Sequence, residues 1–148
     1  MTDAPTATMT KFGFPGTLVA ETEHWRLLAR PEQVTLGSMV LICREPVTAF
    51  GDVSAPAFAE FGQVVGRIER MLRAFVAYDR INYLMLMMVD PDVHFHVLPR
   101  YDGVRSLGGM DFGDAGWPAQ PVLGQGPNPD ADVMGQIVET LRDHWSDA

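Results

Sequence analysis

The stretch that most constrains this chain is Asp92–Arg100, which reads Asp-Val-His-Phe-His-Val-Leu-Pro-Arg. Polar Asp92, His94 and His96 alternate with apolar Val93, Phe95 and Val97. Side chains alternate across a strand, so the pattern predicts a strand over residues 92–98 whose apolar face meets a core. Asp92, His94 and His96 then share the other face, with same-face neighbours roughly 6–7 Å apart. Two imidazoles and a carboxylate at that spacing can address one substrate group. Pro99 cannot donate to a ladder and is expected to end the strand, leaving Arg100 at its rim. A lone strand histidine is usually a hydrogen-bonded surface or core residue. Two at i and i+2, flanked by Asp92 and Arg100, mark a functional site.

The rest of the chain supplies the scaffold. Residues 1–11 are rich in Thr, Ala and Pro and are expected to be a flexible tail, followed by a domain over 12–148. Thr17–Glu21 and His24–Ala29 read as short strands, with His24 a solvated turn residue, and Ser38–Cys43 as a continuous apolar strand. Ser54 suits an N-cap with Pro56 in the first turn, and Phe58, Phe61, Val65, Ile68, Leu72 and Phe75 then recur at helical spacing. Asn82–Val89 reads as a strand, its methionines as core filling. Residues 102–129 form a Gly-rich loop, and Asp130 or Asp132 caps a helix over 130–146 with Met134, Ile137, Val138, Leu141 and Trp145 as its stripe. Strand runs separated by one long helix indicate an α+β class, not a doubly wound sheet.

Composition bounds the partners. A net charge of −8 over 148 residues argues against gripping long nucleic acid through its phosphates, yet leaves room for a small nucleotide in a locally basic pocket. Cys43 is the only cysteine, which excludes an internal disulfide and suits a reducing, cytoplasmic setting. The N-terminal residues lack a signal-peptide pattern, and the longest apolar run, residues 83–89, is too short to span a bilayer.

The run His94-Phe95-His96-Val97-Leu98-Pro99-Arg100 resembles the motif of the histidine triad (HIT) family. That motif is His-φ-His-φ-His-φ-φ, with φ apolar, commonly followed by Pro-Arg. The similarity extends upstream through Glu21-Thr22-Glu23-His24-Trp25 and Gly37 to the long helix, roughly residues 16–101. The resemblance implies an α+β fold with an antiparallel sheet of about five strands, a long helix and a C-terminal helix. It also implies a homodimer, a small-molecule nucleotide as ligand, and no cofactor or metal. In chemical terms it implies hydrolysis at an α-phosphate through a nucleotidyl-histidine intermediate. His94 takes the part of the nucleophile, and His96 that of the residue holding the phosphate and assisting the leaving group. Branches that transfer nucleotides carry Gln at the last position, so His96 favours hydrolysis over transfer.

The chain departs from the pattern at four places. Asp92 stands where the first histidine would be; its carboxylate is expected to favour imidazolium at His94 and to repel an incoming phosphate. Gly37-Ser38 replaces a frequent Gly-His. The ribose-binding Asn or Asp maps onto Ala29 or Arg30, and the usual Gly-rich run is shortened to Val89-Asp90-Pro91. Asp92, Ser38, Arg30 and Arg100 are thus the candidate substrate contacts, and the expected activity is a slow or re-specified phosphohydrolase. Two alternatives stand beside it. One is a non-catalytic nucleotide-binding module on the same scaffold. The other is a metal site of Asp92, His94 and His96, with Asp90 or Asp102 as a further ligand.

Overall fold

A computed structural model describes residues 4–148 and bears out the α+β class. Its elements are α1 (Ala7–Lys11), β1 (Leu18–Glu21), β2 (Trp25–Ala29), β3 (Met39–Cys43), α2 (Ala55–Val76), β4 (Arg80–Leu84), β5 (His94–Arg100), β6 (Val104–Leu107), β7 (Met110–Gly113) and α3 (Ala131–Asp147). A single 3-10 turn, Phe50–Asp52, precedes α2. Five strands form one antiparallel sheet in the order β1-β2-β3-β5-β4, and β6 and β7 form a separate hairpin.

The helices follow from their caps and stripes. Ser54 Oγ accepts from the Ala57 N–H at 3.2 Å, and Asp130 Oδ1 from the Val133 N–H at 3.0 Å, so both predicted N-caps satisfy first-turn donors. The buried stripe of α2 is Ala57, Val64, Ile68, Met71, Leu72 and Val76. Relative to the sequence expectation it is rotated, leaving Phe58 among the exposed aromatics. In α3, Ile137, Val138 and Leu141 are buried, and the helix packs on α2 and β1.

Two layers of apolar side chains sandwich the sheet. On one face Trp25, Leu27, Leu41, Phe95 and Val97 join the α2 and α3 stripes in the main core. On the other, Leu28, Val40 and Ile42 meet Met9 and Phe12. The tail expectation is therefore corrected over its described part. Residues 7–11 are helical, with the Thr6 hydroxyl accepting from the Met9 N–H, and Met9 is fully buried.

Three further corrections concern the strands. The strand expected over 82–89 ends at Leu84, and residues 85–91 form a loop. The hairpin β6–β7 occupies part of the expected Gly-rich loop, turning at Gly108-Gly109, whose φ values are +62° and +77°. Finally, β5 does not stop at Pro99. Pairing with β3 covers only residues 94–97, so β3 has run out beside Pro99, where the Thr35 hydroxyl donates to the Pro99 carbonyl at 2.6 Å. β5 thus continues through Arg100 along β4.

Candidate functional site

The register places His94 opposite Ile42 and His96 opposite Val40, so both imidazoles stand on the sheet face covered by α1. The rings lie edge to face, 5.1 Å between centroids. Phe12 packs against both, at 6.2 Å from His94 and 5.7 Å from His96. The pair forms the floor of a pocket of about 420 Å³, within the usual range for small-molecule sites. Lys11 and Phe12 bound one side, Arg30–Glu32 another, and the Leu86–Asp90 loop overhangs it, with Leu123 and Asn128 completing the lining.

Hydrogen bonds assign a tautomer to each ring. His94 Nδ1 lies 2.6 Å from the Asp92 carbonyl oxygen. A carbonyl only accepts, so Nδ1 carries the proton, and in the neutral ring Nε2 keeps its lone pair. His96 is the reverse. Arg30 Nε donates to His96 Nδ1 at 3.3 Å, so that nitrogen accepts and Nε2 bears the hydrogen. Burial, then the Arg30 guanidinium and the neighbouring His94, push the His96 pKa down to about 4, which keeps the ring neutral near pH 7. One imidazole therefore offers an electron pair and its neighbour a hydrogen-bond donor.

Asp92 lies in a bend just before β5 and not on the shared face. Its carboxylate turns to α1, where Oδ2 accepts from the Thr8 hydroxyl at 2.7 Å and the Thr8 N–H at 3.3 Å. Asp92 thus meets His94 through its main chain, and the carboxylate faces Thr8. Arg30 is in the pocket and also donates from Nη1 to Glu32 Oε1 at 2.8 Å. Ser38 is fully buried elsewhere; its hydroxyl donates to the Thr35 carbonyl and accepts from the Thr35 N–H, closing the turn before β3.

Arg100 shares the β5 face with the histidines but belongs to another environment. Its Nε and Nη2 reach the two carboxylate oxygens of Asp114 at 2.6 and 3.0 Å, Nη1 the Asn82 side-chain oxygen at 2.8 Å, and Nη2 the Ala119 carbonyl at 2.9 Å. That guanidinium pins the 114–121 loop beside an open groove of about 850 Å³ along β4. The groove is larger than the histidine pocket but holds neither imidazole, so the smaller cavity is the candidate site. His24 is away from both, its Nδ1 at 3.0 Å from Glu60 Oε2.

Sequence reasoning missed Lys11 and Phe12 as pocket residues, because five helical residues show no amphipathic period. It also missed Glu32, whose only signal was its place next to Arg30-Pro31. Among the described residues no group of three or more His, Cys, Asp or Glu side chains is arranged to hold a metal ion. Asp92, turned toward Thr8, is removed from the expected set.

Comparison with known proteins identifies the architecture. No protein-family model matches the chain, and no curated relative does either. Solved structures do match. A histidine triad protein from Bradyrhizobium japonicum superposes with a TM-score of 0.73 at 19% identity, over 95% of this chain and 96% of that one. A histidine triad protein from Sinorhizobium meliloti gives 0.73 at 14% identity, with the same coverage. A hypothetical histidine triad nucleotide-binding protein from Sulfolobus tokodaii gives 0.69 at 16% identity, over 95% and 90%. The chain has the histidine triad fold, as its β5 motif led one to expect. No helix among the described residues is long and apolar enough to cross a membrane.

Proposed function

We propose that this protein is a nucleotide phosphohydrolase that acts on an α-phosphate through a nucleotidyl-histidine on His94. The observation that carries the reading is the pair of opposed tautomers, a His94 Nε2 lone pair beside a His96 Nε2–H. His94 Nε2 attacks phosphorus and the bond to the leaving group breaks; the His96 Nε2–H hydrogen-bonds the departing atom as negative charge builds on it, and that atom takes its proton from solvent. The nucleotidyl-imidazole then carries positive charge, which the Asp92 carbonyl stabilises at Nδ1–H. Water next attacks phosphorus, the P–N bond to His94 breaks, the water gives its proton to solvent, and the nucleoside monophosphate leaves. The nucleotide-binding histidine triad neighbour from Sulfolobus tokodaii supports the ligand class.

The pocket favours a donor of low charge over a polyphosphate. Its two permanent cations already face carboxylates, Lys11 facing Asp90 at 2.7 Å and Arg30 facing Glu32 at 2.8 Å. A nucleoside phosphoramidate or an adenylylated amine fits that balance better than a dinucleoside polyphosphate. A homodimer and a cytoplasmic setting complete the reading, supported by the open edge that β4 presents at the end of the sheet and by the lone cysteine.

The test is release of AMP from adenosine 5′-phosphoramidate without added metal. His94→Ala should lower turnover by at least about a thousandfold, since the nucleophile itself is gone. Equal and negligible turnover by both proteins would leave the second reading, a nucleotide-binding module without catalysis. Phe12 packing against both rings is the observation that favours it.

A further inference from the structure

We infer that Asp92 is a positioning residue that acts through α1, clasping it over the histidine pair so that Lys11 and Phe12 become part of the ligand site. The inference rests on the hydrolase reading for what the ligand is, and on geometry alone for the clasp.

Asp92 stands where the motif has its first histidine, and none of its carboxylate hydrogen bonds runs to either imidazole. Oδ2 takes both the hydroxyl and the main-chain N–H of Thr8, a residue 1% exposed. The N–H lies in the first turn of α1, where a helix leaves its donors unpaired, so the carboxylate satisfies a group the helix cannot. One turn on, Lys11 Nζ reaches Asp90 Oδ2 at 2.7 Å. The loop before β5 therefore grips α1 at two points two residues apart in sequence, Asp90 and Asp92.

The grip has a consequence at the floor. With α1 held there, Phe12 covers the rings, and His94 is 2% and His96 6% exposed. Lys11 is turned to the pocket mouth with its side chain 49% exposed, free to trade Asp90 for a ligand phosphate. A five-residue helix has too few internal hydrogen bonds to persist alone. Its position is set by what it touches, and Thr8–Asp92 is its buried polar tie to the segment carrying the histidines.

The experiment compares wild type, Thr8→Val, Asp92→Ala, Asp92→Asn and the Thr8→Val/Asp92→Ala double variant. Three readouts are used: carbethoxylation of His94 and His96 by diethyl pyrocarbonate, amide exchange over residues 7–12, and KM and kcat for adenosine 5′-phosphoramidate. Thr8→Val and Asp92→Ala should each speed modification and exchange by about tenfold, the scale for losing a hydrogen bond to a charged group. The double variant should add little to either, and Asp92→Asn, which keeps an acceptor for the hydroxyl, should lie close to wild type. KM should rise more than kcat falls, and Lys11→Met, which removes the exposed tie to Asp90, should reproduce the KM change with a smaller rise in carbethoxylation than Thr8→Val gives. Unchanged carbethoxylation in folded Thr8→Val, or effects that simply add in the double variant, would overturn the clasp. If Asp92→Ala does not fold, Thr8→Val breaks the same bond from the other side. If no protein turns over the phosphoramidate, the hydrolase reading fails while carbethoxylation and exchange still decide the clasp.

Discussion

Arg30 donates from Nε to His96 Nδ1 at 3.3 Å, and this contact fixes which nitrogen of His96 holds its hydrogen. The same guanidinium, after burial, is the largest cause of the lowered His96 pKa of about 4. Replacing it by Gln in Arg30→Gln keeps a polar side chain but removes the charge, so the His96 pKa should rise toward 6.5. Titration of the His96 ring protons by NMR reads this directly. A value that stays near 4 would assign the depression to burial and to the neighbouring His94 and Lys11 instead of Arg30.

The lowered pKa also ties stability to pH. An unfolded histidine takes a proton near 6.5, the folded His96 only near 4. Between those values acid favours the unfolded chain. The His96 contribution to stability should therefore be unchanged above about pH 6.5, fall as pH drops toward 4, and level off below. The loss is on the order of 3 kcal/mol for a shift of this size. Urea unfolding from pH 7.5 to 4 should show a slope that His96→Gln flattens; equal slopes in both proteins would contradict the shift.

A second buried charge concerns the fold more than the site. Arg100 and Asp114 have side chains only 4% and 1% exposed, and the pair joins the end of β5 to the loop bordering the β4 groove. Removing one partner of such a pair leaves an uncompensated charge, a loss of about 3–5 kcal/mol. Asp114→Ala should lower unfolding free energy by that amount while the turnover ratio of wild type to His94→Ala persists in whatever fraction stays folded. A change below about 1 kcal/mol would mean water enters to solvate Arg100.

These contacts show where sequence reading reaches and where it stops. Alternation in residues 93–97 placed the histidines on one strand face because a strand has a fixed period of two. Ser54 was legible as a cap because its partner, the Ala57 N–H, is three residues away. Asp114 was not legible as the partner of Arg100, since no local period relates a strand end to a loop fourteen residues on. Thr8 and Asp92 are 84 residues apart, and only the folded sheet brings them together. The hairpin at Gly108-Gly109 does carry a signal, two glycines at positions where positive φ is needed, but the many other glycines of residues 102–129 hide it in the sequence.

Cys43 provides a check on the core. Its thiol is 1% exposed, and burial pushes its pKa up to about 11. The thiolate is the reactive form, so a disulfide reagent at pH 8 should leave the native protein unlabelled and react only as fast as the sheet opens. Labelling on mixing would place Cys43 at the surface of β3 and contradict its burial between α2 and the sheet.

Charge balance gives the sharpest test of substrate class. Glu32 holds Arg30 at 2.8 Å and also accepts from the Gly124 N–H at 2.9 Å, so it neutralises the cation nearest the imidazoles while anchoring the loop across the pocket. With Glu32 and Asp90 in place, every added phosphate brings negative charge toward two carboxylates, and Lys11 or Arg30 can turn to it only by leaving its own carboxylate unpaired. Adenosine 5′-phosphoramidate should therefore exceed diadenosine tetraphosphate in kcat/KM by at least about tenfold, the equivalent of roughly 1.4 kcal/mol in the transition state. Glu32→Gln keeps the shape and an acceptor for Gly124 but frees the Arg30 charge, so it should narrow that ratio chiefly by improving the polyphosphate. Faster turnover of the tetraphosphate by the wild type, or a ratio indifferent to Glu32→Gln, would show that the pocket selects by shape and not by charge. Because the two leaving groups differ in their own chemistry, the change of the ratio in Glu32→Gln, and not the ratio alone, isolates recognition of the leaving group.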